Sequence, residues 1–274
     1  MLQKDPAMAK KPARKRALHS LERRRHILEL LKTESFLTVE QVQMALGSSP
    51  ATTRRDFADL ADQMMVVRGH GGIHRIDDAP VMGVVPYSRR QVTNPEGKER
   101  IARAAAELLM PNDVVIIDGG TTTAPLARCI SPLVRIITNS LPLASALNEP
   151  VNDKSPLPEV NVTGGYLYPK GEVLLGPQTV QMLRQYHANW AFLGCDGITP
   201  EGILNSNSIV VDTQREMINR AEKVAILADG AKFNRSAMVS LCTLAEIDVI
   251  ITDVNPPAAL ATALKENGVK LIVA

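Results

Sequence analysis

Residues Asp118-Gly119-Gly120-Thr121-Thr122-Thr123 follow an apolar, β-branched run, VVII, and precede TAPLARCI, whose apolar residues fall at helical spacing. Glycine lets a backbone approach an anion closely, Thr hydroxyls donate hydrogen bonds, and a following helix adds free N–H groups and the positive end of its dipole. This suits a phosphate held at the end of a strand. Four more segments share the character: Thr138-Asn139-Ser140, Gly164-Gly165, Cys195-Asp196-Gly197 and Asp229-Gly230-Ala231-Lys232. A single loop of this kind is usually a helix cap. Five at one sheet edge suit a polyhydroxylated anion. Hydroxyl and backbone donors take the phosphate, Asp118 or Asp196 with Asn139 take sugar hydroxyls, and Lys232 supplies charge. Neither GxxxxGK[ST] nor GxGxxG occurs, which disfavours nucleoside triphosphates and dinucleotides.

These loops need a scaffold that collects them. Short β-branched runs alternate with helical patterns from Glu96 onward, with candidate strands at 114–118, 134–138, 160–163, 190–194, 224–228, 248–252 and 270–273. Several are apolar throughout rather than alternating, as expected of parallel strands covered on both faces. Ligands of such sheets bind beyond the C-terminal strand ends, where the polar loops lie. The fold class expected is α/β, a mostly parallel sheet over residues 97–274.

A second constellation stands at the front. Ser20 is placed to cap SLERRRHILELLKT, with Leu21, Ile27, Leu28, Leu30 and Leu31 on a broad apolar stripe. Thr38 and Gln41 have capping-box spacing, Gly47 ends that helix, and Ser49-Pro50 opens another with Phe57, Leu60 and Ala61 inward. Two short helices around a tight Gly turn make a helix-turn-helix. The third helix offers Thr52, Thr53, Arg54 and Arg55 to the major groove, and MMVVRGHGGIHRI reads as a wing bringing Arg68, His70 and Arg75 near phosphates. Charge agrees: residues 1–75 hold 14 Lys and Arg against 8 Asp and Glu, a net +6, and the rest hold 17 against 21, a net −4. The domains expected are a disordered basic tail over 1–18, a winged helix-turn-helix over 19–76, a linker over 77–96, and the α/β domain over 97–274.

Composition narrows the classes. Aromatic residues are 3% of the chain, too few for base-stacking recognition of single strands. Cys129, Cys195 and Cys242 are odd in number and far apart, which suits free thiols in a reducing cytoplasm. The five histidines show no metal-ligand spacing, no apolar run approaches a membrane span, and the basic start lacks a secretory apolar segment. No metal, cofactor or membrane partner is expected.

The string SPATTRRDFADL followed by VRGHGG resembles the N-terminal module of the DeoR-type bacterial transcription regulators. The resemblance continues through KERIARAAAELLMPNDVVIIDGGTTT, ITNSLPLASAL, VTGGYL and ILADGAKF, covering about residues 20–274. It implies a sensor domain related in fold to ribose-5-phosphate isomerase. By motif, its pocket is lined by Asp118, Gly120, Thr121, Thr122, Thr123, Thr138, Asn139, Ser140, Gly164, Gly165, Asp196, Gly197 and Lys232. One departure is Val210, where many members carry a Glu. With TNSLPLASAL and GITPEG, it looks closer to the ascorbate-utilisation type and shifts the expected effector toward a sugar-acid or lactone phosphate. The resemblance implies a repressor of a carbohydrate-utilisation operon, acting as a homodimer or homotetramer on double-stranded operator DNA. The alternative is an isomerase-like enzyme fused to a DNA-binding module. It would need a carboxylate base and a cation, roles for Asp118, Asp196 and Lys232, but it has no use for a DNA-reading helix.

Overall fold

Helix α1, Ser20–Thr33, buries Ile27 and Leu31 and leaves Leu21 exposed. Leu21 is two turns before the half-buried Leu28, on the edge of the stripe rather than its centre. The computed structural model describes residues 20–34, 36–63, 65–69, 71–75, 86–149, 156–168 and 171–274. The expected tail over 1–18, the wing residue His70 and the first part of the expected linker therefore lie outside the described residues. Contacts divide the chain into two units, Met1–Met82 and Gly83–Ala274.

In the first unit, strand β1, Phe36–Thr38, runs directly into helix α2, Val39–Leu46. Thr38 and Gln41 form the expected capping box: the Gln41 amide donates to Thr38 Oγ1 at 3.1 Å, and the Thr38 amide to Gln41 Oε1 at 2.7 Å. Gly47 follows in the left-handed region at φ 64°, a conformation that stops the helix at little cost to glycine alone. Helix α3, Pro50–Asp62, starts on the Ser49 cap. Strands β2, Val67–Gly69, and β3, Gly72–His74, pair antiparallel, and β1 joins them in the order β1-β3-β2. The wing is thus three-stranded, and β1 was not foreseen; a three-residue strand next to a cap has no period of its own. Gly72 is required there, since a Cβ would stand 2.2 Å from the Leu37 carbonyl oxygen. Ile27, Leu31, Leu37, Val42, Phe57, Leu60 and Ile73 close the core of this winged helix-turn-helix.

The second unit begins inside the segment expected to be linker. Helix α4, Tyr87–Gln91, buries Tyr87, and α5, Pro95–Ala106, starts on Asn94, whose side chain also donates to Asp253 Oδ2 at 2.7 Å. Burial of Tyr87 and this reach across the sequence fasten a stretch that composition alone presents as a spacer.

The sheet strands are β4, Val114–Ile117, and β5, Arg135–Thr138, with helix α6, Leu141–Leu147, between β5 and β6, Glu159–Val162. A hairpin of β7, Tyr166–Tyr168, and β8, Val173–Leu175, leads to α7, Pro177–Leu183, and back to the sheet at β9, Ala188–Leu193. After β10, Gly197–Thr199, and β11, Gly202–Asn205, helix α8, Ser208–Asn219, precedes β12, Ala221–Leu227. Strands β13, Val239–Cys242, and β14, Val249–Thr252, then helix α9, Ala258–Glu266, and β15, Lys270–Val273, complete it.

Seven strands lie in the order β15-β14-β12-β9-β4-β5-β6 and every neighbouring pair is parallel. They are the seven expected strands. Ile116 packs with Leu193, Val211, Met217 and Leu260 on one face, while Val115 and Ile117 pack with Phe192, Ile101 and Leu143 on the other. Both faces are covered, which is why the runs show no alternation. The small antiparallel pieces, β7–β8 and β10-β11-β13, were missed: their short strands are bounded by glycines and carry too few residues to show a period. From β4 the chain steps outward through β5 and β6, then returns to the other side of β4 at β9. The reversal puts the topological switch point, where open α/β sheets bind their ligands, at the carboxyl ends of β4 and β9. No helix among the described residues is long and apolar enough to cross a membrane.

One interaction ties α1 to α3. Arg23 donates to Asp56 from Nε at 2.6 Å and from its terminal nitrogen at 2.9 Å, with the Asp56 side chain 3% exposed. Asp56→Ala strands the guanidinium at a largely buried position and is expected to lower the stability of the first unit by about 3 kcal/mol. Urea unfolding followed by amide exchange in α1 and α3 measures this; unchanged protection in the variant refutes the tie.

Candidate functional site

Helix α3 sorts its residues by face. Thr53, Asp56, Phe57 and Leu60 are buried, while Ala51, Arg54 and Arg55 are exposed. Two of its three acids pair with α1, Asp56 with Arg23 and Asp59 with Arg24 at 3.2 Å, while Asp62 is exposed at its end. Arg54 and Arg55 form no ion pair among the described residues, and Arg68, exposed on β2, forms none either. Thr53 differs from its expected role. It is fully buried and its hydroxyl meets Ser48 Oγ at 2.7 Å, so it locks the turn rather than facing outward. Thr52 is half-exposed, with its hydroxyl 2.8 Å from Ser49 Oγ. The outward surface is therefore Thr52, Arg54 and Arg55 on the helix and Arg68 on the wing.

At the sheet rim the expected residues separate into a frame and a set of free donors. Asp118 ends β4 and is 3% exposed. Its Oδ1 accepts from Asn139 Nδ2 at 3.1 Å and its Oδ2 from Gln214 Nε2 at 2.6 Å. Asn139 accepts in turn from the Gly119 amide at 2.9 Å. Thr138 donates to the Ile117 carbonyl at 2.7 Å, Thr123 to the Asp118 carbonyl at 2.7 Å, and Ser140 caps α6 by accepting from the Leu143 amide at 3.3 Å. All five polar groups form hydrogen bonds inside the protein and shape the loop.

Gly165 and Gly197 fill tight places, while a Cβ on Gly164 would meet nothing within 4 Å. A Cβ on Gly165 would meet Thr179 Oγ1 at 2.1 Å, and Thr179 itself donates to the Gly164 carbonyl at 2.6 Å, closing the hairpin against α7. A Cβ on Gly197 would fall 1.9 Å from the Arg235 carbonyl oxygen.

Free donors remain around these fixed points. Thr121 and Thr122 are each 7% exposed, and their hydroxyls bond to nothing among the described residues. The amides of Gly120, Thr121 and Thr122 likewise have no acceptor among the described residues. Only a five-residue 3-10 helix, Ala124–Arg128, follows, in place of the expected helix with a directed dipole. Pro125 and the tight Gly120–Ala124 turn break the pattern early, so donors come from the turn itself. Lys232 Nζ lies 3.9 Å from Asp196 Oδ1, a loose pair, while Asp196 Oδ2 accepts from the Ser206 amide at 3.1 Å. Cys195 between these groups is an inert thiol, pushed by burial up to about 12.

Two residues of this region escaped the sequence reading. Gln214 ties Asp118 to the Gly194 carbonyl at 2.9 Å and accepts from Asn205 Nδ2 at 3.0 Å, joining β4, β9 and β11 through α8. A polar residue at core spacing, three after Val211 and three before Met217, was the available signal. Arg90 on α4 stands close enough to lower the Asp118 carboxyl. Its only trace in sequence is an Arg pair in a supposed spacer. Val210 lies in the first turn of α8, so no carboxylate enters from that position.

Both oxygens of the buried carboxylate accept hydrogen bonds, and the unspent groups of the rim are donors. No cluster of His, Cys, Asp or Glu suited to a metal occurs among the described residues.

Comparison with known proteins gives the same division. The family model "DeoR-like helix-turn-helix domain" matches residues 23–79, and "DeoR C terminal sensor domain" matches residues 93–254. The chain is 34% identical to the putative aga operon transcriptional repressor of Escherichia coli O157:H7, covering 94% of this chain and 96% of that one. It is 35% identical to the HTH-type transcriptional regulator GlpR of Haloferax volcanii, covering 92% and 96%. It is 31% identical to the HTH-type transcriptional regulator UlaR of Shigella flexneri, covering 92% and 98%. Among solved structures, ribose 5-phosphate isomerase a from Methanocaldococcus jannaschii matches 52% of this chain and 55% of that one at 17% identity, with a TM-score of 0.35, too low to carry an argument.

Burial lifts the Asp118 carboxyl to about 6, against the lowering influence of Gln214, Asn139, the Gly119 amide and Arg90. The folded protein thus keeps this proton to higher pH than the unfolded chain, and the resulting stabilisation is lost as pH rises through about 6. Between about pH 5 and about pH 7.5, Asp118 is expected to remove about 1.4 kcal/mol of unfolding free energy. Urea unfolding across that range should show the loss in wild type and not in Asp118→Asn. Parallel pH profiles for the two proteins refute the assignment.

Proposed function

The chain belongs to the DeoR family of transcriptional regulators, and on that premise we propose that it is an operator-binding repressor released or engaged by a phosphorylated sugar or sugar acid. One observation carries the DNA reading. Two acids on α3 are consumed by α1 arginines, so the positive charge of Arg54 and Arg55 is left uncancelled beside the helix-turn-helix turn. Arginines in that setting make bidentate contacts to guanine or neutralise backbone phosphates. Arg68 on the wing adds a phosphate contact. Half-sites on DNA pair such modules, so a homodimer or homotetramer in the cytoplasm is part of the proposal.

The effector reading rests on the unspent donors of Gly120, Thr121 and Thr122 and on Lys232, at the switch point where strand order reverses. Asp196 serves as the acceptor for a sugar hydroxyl. For a 10–100-fold change in operator affinity, the effector must favour one arrangement of the protein by about 1.4–2.7 kcal/mol, within reach of a few charge-assisted hydrogen bonds. The aga, GlpR and UlaR relatives stand at 34%, 35% and 31% identity, so overall likeness does not single out the ascorbate type. A sugar-acid or lactone phosphate is proposed from the missing carboxylate at Val210. Catalysis is disfavoured because the relatives that match over almost the whole chain are transcriptional repressors and regulators.

Duplexes selected by the wild-type protein from a random pool provide an operator for testing. Arg54→Ala and Arg55→Ala are each expected to weaken binding by about 1–3 kcal/mol, either with relaxed sequence preference or with the salt slope reduced by about one. Wild-type affinity and slope in both variants would show that α3 does not read the groove. In a thermal-shift screen of phosphorylated sugars and sugar acids, a ligand at a hundred times its Kd adds about 2.7 kcal/mol to stability. Thr122→Val combined with Lys232→Ala should lose that response and keep operator binding; an undiminished response refutes the pocket.

A further inference from the structure

Helix α4 carries two adjacent half-buried arginines, Arg89 and Arg90, into the second unit. Tyr87 at its start is buried, and the buried Lys98 ammonium on α5 donates to the Arg90 carbonyl oxygen. The helix is therefore held at both ends. Arg23 pairs with Asp56, Arg24 with Asp59 and Arg220 with Glu216 at 2.9 Å, whereas Arg89 and Arg235, also half-buried, form no ion pair among the described residues. Arg90 has none. Its Nε is buried without an acceptor, and no carboxylate lies within ion-pair distance of it among the described residues. Its charge is felt at the Tyr87 phenol and at the Asp118 carboxyl. Asp118 ends β4, and three and four residues further on the amides and hydroxyls of Thr121 and Thr122 are also unspent among the described residues.

A buried N–H of a charged group without an acceptor is costly, and the cost is recovered when an acceptor arrives. The guanidinium fork matches two oxygens of a phosphate or carboxylate better than a single point charge does. We propose that Arg90 binds the anionic group of the effector together with Thr121 and Thr122, making α4 a wall of the effector site. This rests on the effector reading above and extends it in two ways. The anion is recognised by a permanent cation that Lys232 does not replace, and the cation belongs to the first described element after the chain leaves the DNA-binding unit.

Calorimetric titration of the full chain tests this with inorganic phosphate, glycerol 3-phosphate and glucose 6-phosphate, using glycerol and glucose as uncharged counterparts. Wild type is expected to bind at least one phosphate compound and neither uncharged one. Arg90→Met should weaken that binding at least tenfold, Arg90→Lys should recover part of it, and Arg135→Met, exposed at the start of β5, should behave as wild type. Binding within twofold of wild type in Arg90→Met, with loss in Thr122→Val, overturns the role of Arg90 and leaves the effector site standing. No effect of either variant, or no binding of any of the three anions to wild type, overturns both readings. Should Arg90→Met fail to fold, phenylglyoxal labelling of wild type gives the answer by fragment mass. Glycerol 3-phosphate is expected to slow labelling of Arg90 and not of Arg135, and equal labelling with and without the ligand overturns the proposal.

Discussion

A carboxylate buried without an ion-pair partner organises the rim of the parallel sheet. Asp118 is gripped by amide donors from Asn139 and Gln214, groups that bring hydrogen bonds but no net charge. Those two side chains continue into the Gly119 amide, the Gly194 carbonyl and Asn205, so one charge pins the ends of β4, β5, β9 and β11 to α8. A buried network of this kind is stable only when every member is satisfied, and satisfaction fixes geometry. That geometry keeps the next three residues in a turn whose donors point at nothing inside the protein. The loop's freedom to bind depends on its neighbours' lack of freedom.

The same chemistry explains which expectations transferred from sequence and which did not. Strand identity was legible because a sheet covered on both faces demands uninterrupted β-branched runs, and nothing else in the chain produces seven of them. Thr38, Gln41, Gly47, Ser49 and Pro50 were legible because caps are decided by residues within one turn of each other. The division of labour among the threonines was not. Thr121, Thr122 and Thr123 are chemically identical, and only the position of the Asp118 carbonyl decides that Thr123 is the one consumed. Thr53 fails for the same reason, since Ser48 claims its hydroxyl across the turn. Gln214 lies 96 residues from its carboxylate, a distance no local pattern bridges.

Arginine shows how environment assigns a role to a residue type. Arg23 and Arg24 face acids on α3 and become part of the scaffold. Arg54 and Arg55, on the helix that supplies those acids, are left exposed. By burying Asp56 and pairing with the partly exposed Asp59, α1 offsets negative charge on the helix that carries the exposed arginines. The module's fold and its electrostatics are set by the same two ion pairs.

The buried carboxylate also bears on why such a rim suits a switch. An anion brought near Asp118 is repelled while that group is ionised, and the repulsion is relieved by uptake of a proton or by a cation placed between. With the carboxyl poised at about 6, the proton is available at modest cost near neutrality, and Arg90 and Lys232 provide cations on the same rim. On the proposed reading, a group that changes protonation when an effector arrives, fastened to four strands and a helix, would convert occupancy into altered packing. Differential contact of that kind is what a ligand must supply to shift one arrangement of a protein toward another.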